Sequence, residues 1–181
     1  MDSVLYFACA ETALGELLIA GDERTLRFLT LAGREGLPAL RAHAERFYPK
    51  LRLEESERQL ASALGELEQY ARGERTEFEI ELAPAGTQFE LRVWSELCRI
   101  PYGETRTYGA LAKNLGQPGA SQAVGGANRR NPIAIAIPCH RCVAATGLGG
   151  FTGGLDRKLQ LLELERVHAG TGQSLLEFEG E

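Results

Sequence analysis

The chain has 181 residues, 44% of them apolar and 7% aromatic, enough for a buried core in one large or two small domains and for a soluble globular protein. No segment approaches the roughly 18 uninterrupted apolar residues of a membrane span, and the start MDSVLYFACAETALGE lacks the basic end and long apolar run of a signal peptide, so a cytoplasmic protein with no membrane association is expected. The formal charge of −5 argues against nucleic acid until it is divided: residues 1–85 hold ten Lys and Arg against sixteen Asp and Glu, whereas residues 86–166 hold ten against six.

In chain order, LYFACAE and ELLIAGDE read as two strands around a turn at Gly15, and TLRFLTL as a third. RAHAERFY and SERQLASALGELEQYARG read as helices, the second with Leu60, Leu64, Leu67 and Tyr70 on one stripe and Gly73 as its stop. FEIELAP alternates like a strand before Pro84, Ala85 and Gly86 break the pattern, which places a domain boundary there. TQFELRVWSELCRI opens the second half as a helix with Phe89, Val93, Trp94 and Leu97 on one face. TYGALAKNLG, which Thr105 or Thr107 can cap, the turn QPG and ASQAVGGANRR then have the layout of a helix-turn-helix. Gly125 and Gly126 cost roughly 1 kcal/mol each against Ala inside a helix, which points to close approach by another helix or by DNA. The expected class is α/β (α+β): a small N-terminal α/β domain with a short antiparallel sheet over 1–85, then a mostly helical domain over 86–181.

The chemistry gathers after Asn131 and Pro132. IAIAIPCHRC suits a buried strand or extended run that delivers Cys139 behind Pro138, beside His140 and Arg141. Free cysteine titrates near 8.5, and positive neighbours lower that value. Neighbouring side chains on an extended segment point to opposite faces, so a Cys139–His140 relay requires a turn or a bridging water. CHRC is also compatible with a redox pair or half a zinc site. A structural zinc wants four ligands, however, and His43, His140 and His168 are isolated; a redox motif would open a helix, whereas VAATGLGGFTGGL reads as a loop. No metal and no cofactor is expected. Four cysteines are too few to staple the chain, so reduced thiols are the default, with Cys9 and Cys98 read as core residues.

From Gly86 to Glu165 the chain resembles the O6-alkylguanine-DNA alkyltransferases, also called methylated-DNA-protein-cysteine methyltransferases. The likeness rests on VW-x5-IPYGET-x-TYGALA, AVGGANRRNP, IPCHR and GGL-x2-K-x2-LLELE. It implies stoichiometric, irreversible transfer of the alkyl group from O6-alkylguanine, and from O4-alkylthymine, in double-stranded DNA. Cys139 would be the acceptor, His140 its base through a water, Glu165 the partner of His140, Asn131 the holder of the turn, and Tyr108 a donor to the guanine ring. Carbonyls of Cys139 and Cys142 and the amide of Thr152 would read the guanine edge, with Phe151 and Gly153 shaping the alkyl pocket. The base would be flipped out of the duplex, and Thr107, Gln122, Ala123, Gly125, Arg129 and Arg130 would face DNA across the minor groove. A monomer with no dedicated protein partner is implied.

Three positions depart from the family pattern. Gln122 stands where an arginine finger usually precedes AVG, Phe151 where tyrosine is common, and Cys142 where an apolar residue is usual; GLGGF is one residue shorter than the usual loop. Two other functions remain open: a lesion sensor that transfers nothing, which the presence of Cys139 opposes, and transfer from a free base or small molecule, which Gln122 and the net charge favour.

Overall fold

The computed structural model describes residues 4–170; residues 1–3 and 171–181, which the ranges 1–85 and 86–181 include, lie outside the described residues. The chain divides into two compact units. One runs up to Gly86 and also takes in Pro132–Ala136; the other holds Thr87–Asn131 and the chain from Ile137 on.

The first unit contains β1 (Val4–Thr12), β2 (Gly15–Gly21), β3 (Thr25–Thr30), α1 (Leu37–Phe47), β4 (Arg52–Glu55), α2 (Ala61–Ala71) and β5 (Glu81–Leu82). Gly15, at φ 89°, makes the β1–β2 turn, and the Thr12 hydroxyl closes it by donating to the Gly15 carbonyl at 2.9 Å. The five strands lie in the order β4-β1-β2-β3-β5. The three central strands are antiparallel, as the hairpin spacing predicts, and the short edge strands β4 and β5 join them in parallel. Leu17, Leu18, Ile19 and Ala20 of β2 are all buried, which explains an apolar run without alternation: the strand is covered on both faces. Leu18 and Ala20 pack with Leu5, Phe28 and, from α1, Leu40 and Ala44.

Two segments read as strands behave otherwise, for local reasons. In FEIELAP only Glu81–Leu82 pairs. The buried Glu66 carboxylate of α2 accepts the N–H groups of Glu79 at 2.7 Å and Ile80 at 3.2 Å, removing those donors from any ladder. The segment Pro132–Ala136 touches β3 at one point: Leu29 donates to the Pro132 carbonyl at 2.8 Å and accepts from Ala134 at 3.0 Å. It then turns, with Ile135 at φ 69°. A β-branched residue held in the left-handed region costs roughly 1–3 kcal/mol, and burial of the Ile133 and Ile135 side chains offsets that cost.

The second unit is mostly helical: α3 (Gln88–Leu97), β6 (Arg106–Thr107), α4 (Tyr108–Asn114), α5 (Ser121–Arg129), β7 (Cys142–Val143) and α6 (Leu155–His168). Thr87 and Glu90 form a capping box on α3, whose Val93, Trp94 and Leu97 are buried while Phe89 is half-buried. The Trp94 indole donates to the Ala127 carbonyl at 2.9 Å, locking α3 to α5. Thr107, rather than Thr105, caps α4: its hydroxyl accepts the Ala110 N–H at 3.1 Å. Gly116, at φ 74°, ends α4 and begins the turn into α5. Among the described residues no helix is long and apolar enough to cross a membrane.

Candidate active site

Cys139, His140 and Arg141 form one turn of 3-10 helix, and all three are buried. This turn removes the difficulty of an extended Cys-His pair, because successive side chains leave it about a third of a turn apart instead of on opposite faces. Two asparagines hold the segment. The Asn131 amide donates to the Ile137 carbonyl at 2.8 Å, and the Asn128 amide, from the last turn of α5, donates to the Cys139 carbonyl at 3.3 Å. Asn128 carried no role in the sequence reading.

Behind the turn lies a buried charge network. His140 Nε2 is 2.8 Å from Glu165 Oε1 on α6. The same carboxylate accepts two bonds from Arg141, Nε and Nη2 each at 2.8 Å, and one from the Gly103 N–H at 3.1 Å. Arg141 also donates through Nη1 to the Ile100 carbonyl at 2.7 Å and lies 5.6 Å from the centre of the Tyr102 ring. Burial alone would raise the Glu165 carboxyl, but the His140 bond and the Arg141 guanidinium outweigh it and hold the group well below the usual carboxylate range. Burial lowers the His140 imidazole against the pull of Glu165, so the ring rests neutral. A permanent carboxylate accepts the Nε2 proton, which leaves the basic lone pair on Nδ1. Burial pushes the Cys139 thiol up, while the Asn131 side chain and Lys158 favour its charged form. The resting site is therefore a neutral thiol beside a neutral imidazole.

The parallel pair β6–β7 sets Arg106 against Cys142 and Thr107 against Val143, which brings the start of α4 to the nucleophile segment. Tyr108 follows directly, and its hydroxyl donates to the Gly150 carbonyl at 3.3 Å. Burial and the two thiols of Cys142 and Cys139 raise that hydroxyl, so it remains a donor. Gly149 is the tight point of the loop: at φ 69°, a Cβ there would stand 2.9 Å from Tyr108 Cε2 and 3.1 Å from the Ala144 nitrogen. Lys158 of α6, fully buried, donates to the carbonyls of Cys142 and Leu148 at 2.6 Å each and of Gly150 at 3.3 Å. Sequence reading gave neither Gly149 nor Lys158 a role. A signal for the lysine existed: Lys158, Leu161, Leu162 and Glu165 have the i, i+3, i+4, i+7 spacing of a buried helix face, and all four are buried.

A groove of about 870 Å³ opens beside this site, and Tyr108, Gln122, Gly125, Arg129, Phe151 and Thr152 are among its lining residues. Ala123 and Gly153 are exposed, and Thr107 is half-buried under its capping role. The Thr152 hydroxyl donates to the Arg129 carbonyl at 3.1 Å, tying the loop to the end of α5. Gly125 needs no close approach within the chain, since an added Cβ would sit 3.9 Å from the Tyr108 ring, an ordinary contact. Arg130 also lines the groove but is ion-paired to the buried Glu90 of the capping box, and Arg106 pairs with Glu104 at 2.8 Å. Arg129 is exposed and makes no ion pair among the described residues. Cys98, read as a core residue, is instead exposed at the end of α3, and Cys9 is half-buried. Among the described residues no three His, Cys, Asp or Glu side chains gather as a metal site.

Fold and site together define a thiol-centred protein with a helix-turn-helix, and comparison with known proteins gives its class. The family model described as the DNA binding domain of 6-O-methylguanine DNA methyltransferase matches residues 88–167, and that of its ribonuclease-like domain matches residues 5–84. The chain belongs to the methylated-DNA–protein-cysteine methyltransferase family. A member from Methanosarcina acetivorans is 46% identical over 163 residues, covering 89% of this chain and 98% of that protein. The crystal structure of the Mycobacterium tuberculosis O6-methylguanine methyltransferase matches with a TM-score of 0.78 at 40% identity, over 97% of this chain and 100% of the other. The Mycobacterium tuberculosis OGT in complex with DNA matches with a TM-score of 0.77 at 39% identity, over 90% and 94%.

Proposed function

We propose that this protein repairs double-stranded DNA by moving the alkyl group of O6-alkylguanine onto Cys139, in one irreversible turnover. The observation that carries the proposal is the buried Glu165–His140 pair, at 2.8 Å, set on the same tight turn as the thiol. His140 takes the Cys139 proton through a bridging water, and Glu165 steadies the resulting imidazolium. The thiolate attacks the alkyl carbon; the new S–C bond forms as the C–O6 bond breaks, and the electron pair leaves with guanine. Tyr108 donates to the ring as negative charge develops there. The sulfur ends as a thioether, so no second cycle follows.

The guanine is flipped from the stack to reach the buried sulfur, at a cost of a few kcal/mol that is smallest for a badly paired lesion. Its edge meets the carbonyls of Cys139 and Cys142 and the Thr152 amide, with Phe151 and Gly153 walling the alkyl group. Thr107, Gln122, Ala123 and Gly125 face the minor groove, and Arg129 is the phosphate contact. Glu90 already holds Arg130, which serves to brace α5. A reduced acceptor thiol suits the cytoplasm, where we place the protein, acting as a monomer.

The test is intact-protein mass after incubation with a duplex carrying O6-methylguanine, followed by peptide mapping. A gain of one methylene on Cys139, absent in Cys139→Ser while that variant still binds the duplex, is the expected result. A gain mapped elsewhere, or transfer by Cys139→Ser, refutes the assignment.

A further inference from the structure

Cys142 stands where the family usually has an apolar residue, three positions after the acceptor, and the transfer reaction uses its carbonyl but not its thiol. A Cys-x-x-Cys redox pair is expected to open a helix, and in the folded chain this one does. After the extended run, Cys139 begins the 3-10 turn and Cys142 ends it, its N–H donating to the Cys139 carbonyl. The Arg141 N–H donates to the Pro138 carbonyl at 3.0 Å and tightens the same turn. Three residues of 3-10 helix rise by about 2.0 Å each, so the two Cα atoms stand roughly 6 Å apart with eclipsed side chains, inside the roughly 4.4–6.8 Å window that a disulfide spans.

Both side chains are buried, and both thiols are free. Of the other two cysteines, Cys98 is exposed at the end of α3 and Cys9 belongs to the first unit, so Cys142 is the thiol that the turn itself delivers to Cys139. The pair is chemically unequal. Cys139 has His140 beside it on the turn, backed by Glu165 at 2.8 Å, to take its proton. Burial raises Cys142 to about 12, and Cys139 adds to the rise as a close like-charged neighbour would. That inequality orders the chemistry: Cys139 meets an oxidant first, and Cys142 answers second.

With hydrogen peroxide as the oxidant the atoms balance. The Cys139 proton passes to His140, the thiolate attacks one peroxide oxygen, and the O–O bond breaks; the departing oxygen takes the proton back as water, and Cys139 is left as a sulfenic acid. The Cys142 sulfur then attacks the Cys139 sulfur. The S–S bond forms as the S–O bond breaks, and the leaving hydroxide combines with the Cys142 proton as a second water.

We propose that Cys142 is a resolving thiol, which closes a reversible disulfide with peroxide-oxidised Cys139 and so withholds the acceptor sulfur from alkyl transfer until a small thiol reopens it. The advantage follows from single use: without a partner the sulfenic acid advances to sulfinic acid, which thiols do not reduce, and the protein is lost without a repair. A transient disulfide of this kind is compatible with a reducing compartment. The bond itself is independent of the repair reading; its consequence for repair rests on Cys139 being the acceptor.

The test exposes the intact protein to rising doses of hydrogen peroxide. Intact mass, the tryptic peptide map and methyl uptake from the O6-methylguanine duplex are read before and after dithiothreitol, each protein against its own untreated level. Wild type is expected to lose two hydrogens in mass, to yield a linkage between Cys139 and Cys142 across the cleavage site at Arg141, and to lose methyl uptake until dithiothreitol restores it. Cys142→Val is expected to gain oxygen at Cys139 instead, and to be beyond rescue at doses from which wild type still recovers. Wild type that gains oxygen without losing two hydrogens, a disulfide joining any other pair or two chains through Cys98, or equal recovery of the two proteins overturns the proposal. Should Cys142→Val not fold, the wild-type mass and peptide map decide alone. Untreated protein that takes no methyl from the duplex would sink the repair reading instead, and the disulfide would still be read by mass.

Discussion

Replacing Glu165 by Gln tests the centre of the buried network, because a single atom change removes the charge while keeping the volume. The carboxylate accepts four bonds, from His140, twice from Arg141 and from Gly103. In the amide one acceptor becomes a donor, and it must face either the Arg141 guanidinium or the His140 N–H. Arg141 is then a buried cation without its anion, a loss of about 3–5 kcal/mol when one partner of a buried pair is removed. At about 2–4 °C per kcal/mol for a chain of this size, the melting temperature at pH 7 should fall by roughly 6–20 °C. The imidazolium also loses its stabiliser, and methyl transfer should slow by about 10²–10⁴. The pH dependence gives the sharper signature. Because folding lowers the Glu165 pKa, its contribution is complete above the unfolded value near 4.3 and disappears as pH falls through the folded one. The wild-type advantage over Glu165→Gln should therefore be full at pH 7 and shrink steadily below about pH 4. Calorimetry of both proteins between pH 3 and 7 measures it; a difference under 2 °C at pH 7, or one constant across the range, refutes the reasoning.

Two further outcomes follow from the groove. Gly149→Ala forces a left-handed Cβ to within 2.9 Å of the Tyr108 ring, so Tyr108 must move; transfer should slow by about tenfold or more with a melting-temperature loss of a few degrees, and wild-type transfer rates would show that the Tyr108 position is irrelevant. Gln122→Arg places a stacking cation at an exposed groove position, and it should speed repair of duplex O6-methylguanine more than reaction with free O6-benzylguanine base; equal effects on both substrates would remove Gln122 from any role in handling the flipped base.

The parts of the site that local chemistry constrains were legible in the sequence. Pro138 before Cys139, and His140 and Arg141 after it, mark that thiol as the candidate from its chain neighbours, whereas Asn131 and Lys158, which favour its charged form, lie farther away in the chain. Glu165 lies 25 positions from His140 and was picked out through a family resemblance; its helical spacing with Leu161 and Leu162 marks a buried position but not its partner. The β1–β2–β3 meander followed from turn residues and apolar runs, but β4 and β5 are short edges whose parallel pairing depends on distant partners. FEIELAP misled because its alternation is real while its N–H groups are claimed by a carboxylate thirteen positions earlier. The pairing of Arg130 with Glu90, forty positions before it, was likewise invisible in the sequence.

The buried charges of the second unit, taken in spatial order, suggest why a thiol so deeply buried can react at all. Arg141 and Glu165 form an ion pair, His140 and Cys139 rest neutral, and burial lowers the Lys158 ammonium while the thiols of Cys142 and Cys139 pull it up. Moving one proton from Cys139 to His140 creates two charges in a region where isolated charges are costly. In the proposed transfer the imidazolium has its opposite partner waiting in Glu165. The reorganisation that water would perform around a solvated thiolate has been completed by folding, so the barrier carries little of it. In the proposed reaction the step is one-way because the product is a thioether, which guanine does not displace. Once the sulfur is a thioether it can bear no negative charge, and the proton on His140 has no thiolate to return to; the alkylated site should therefore release that proton to solvent and should not regenerate the thiol.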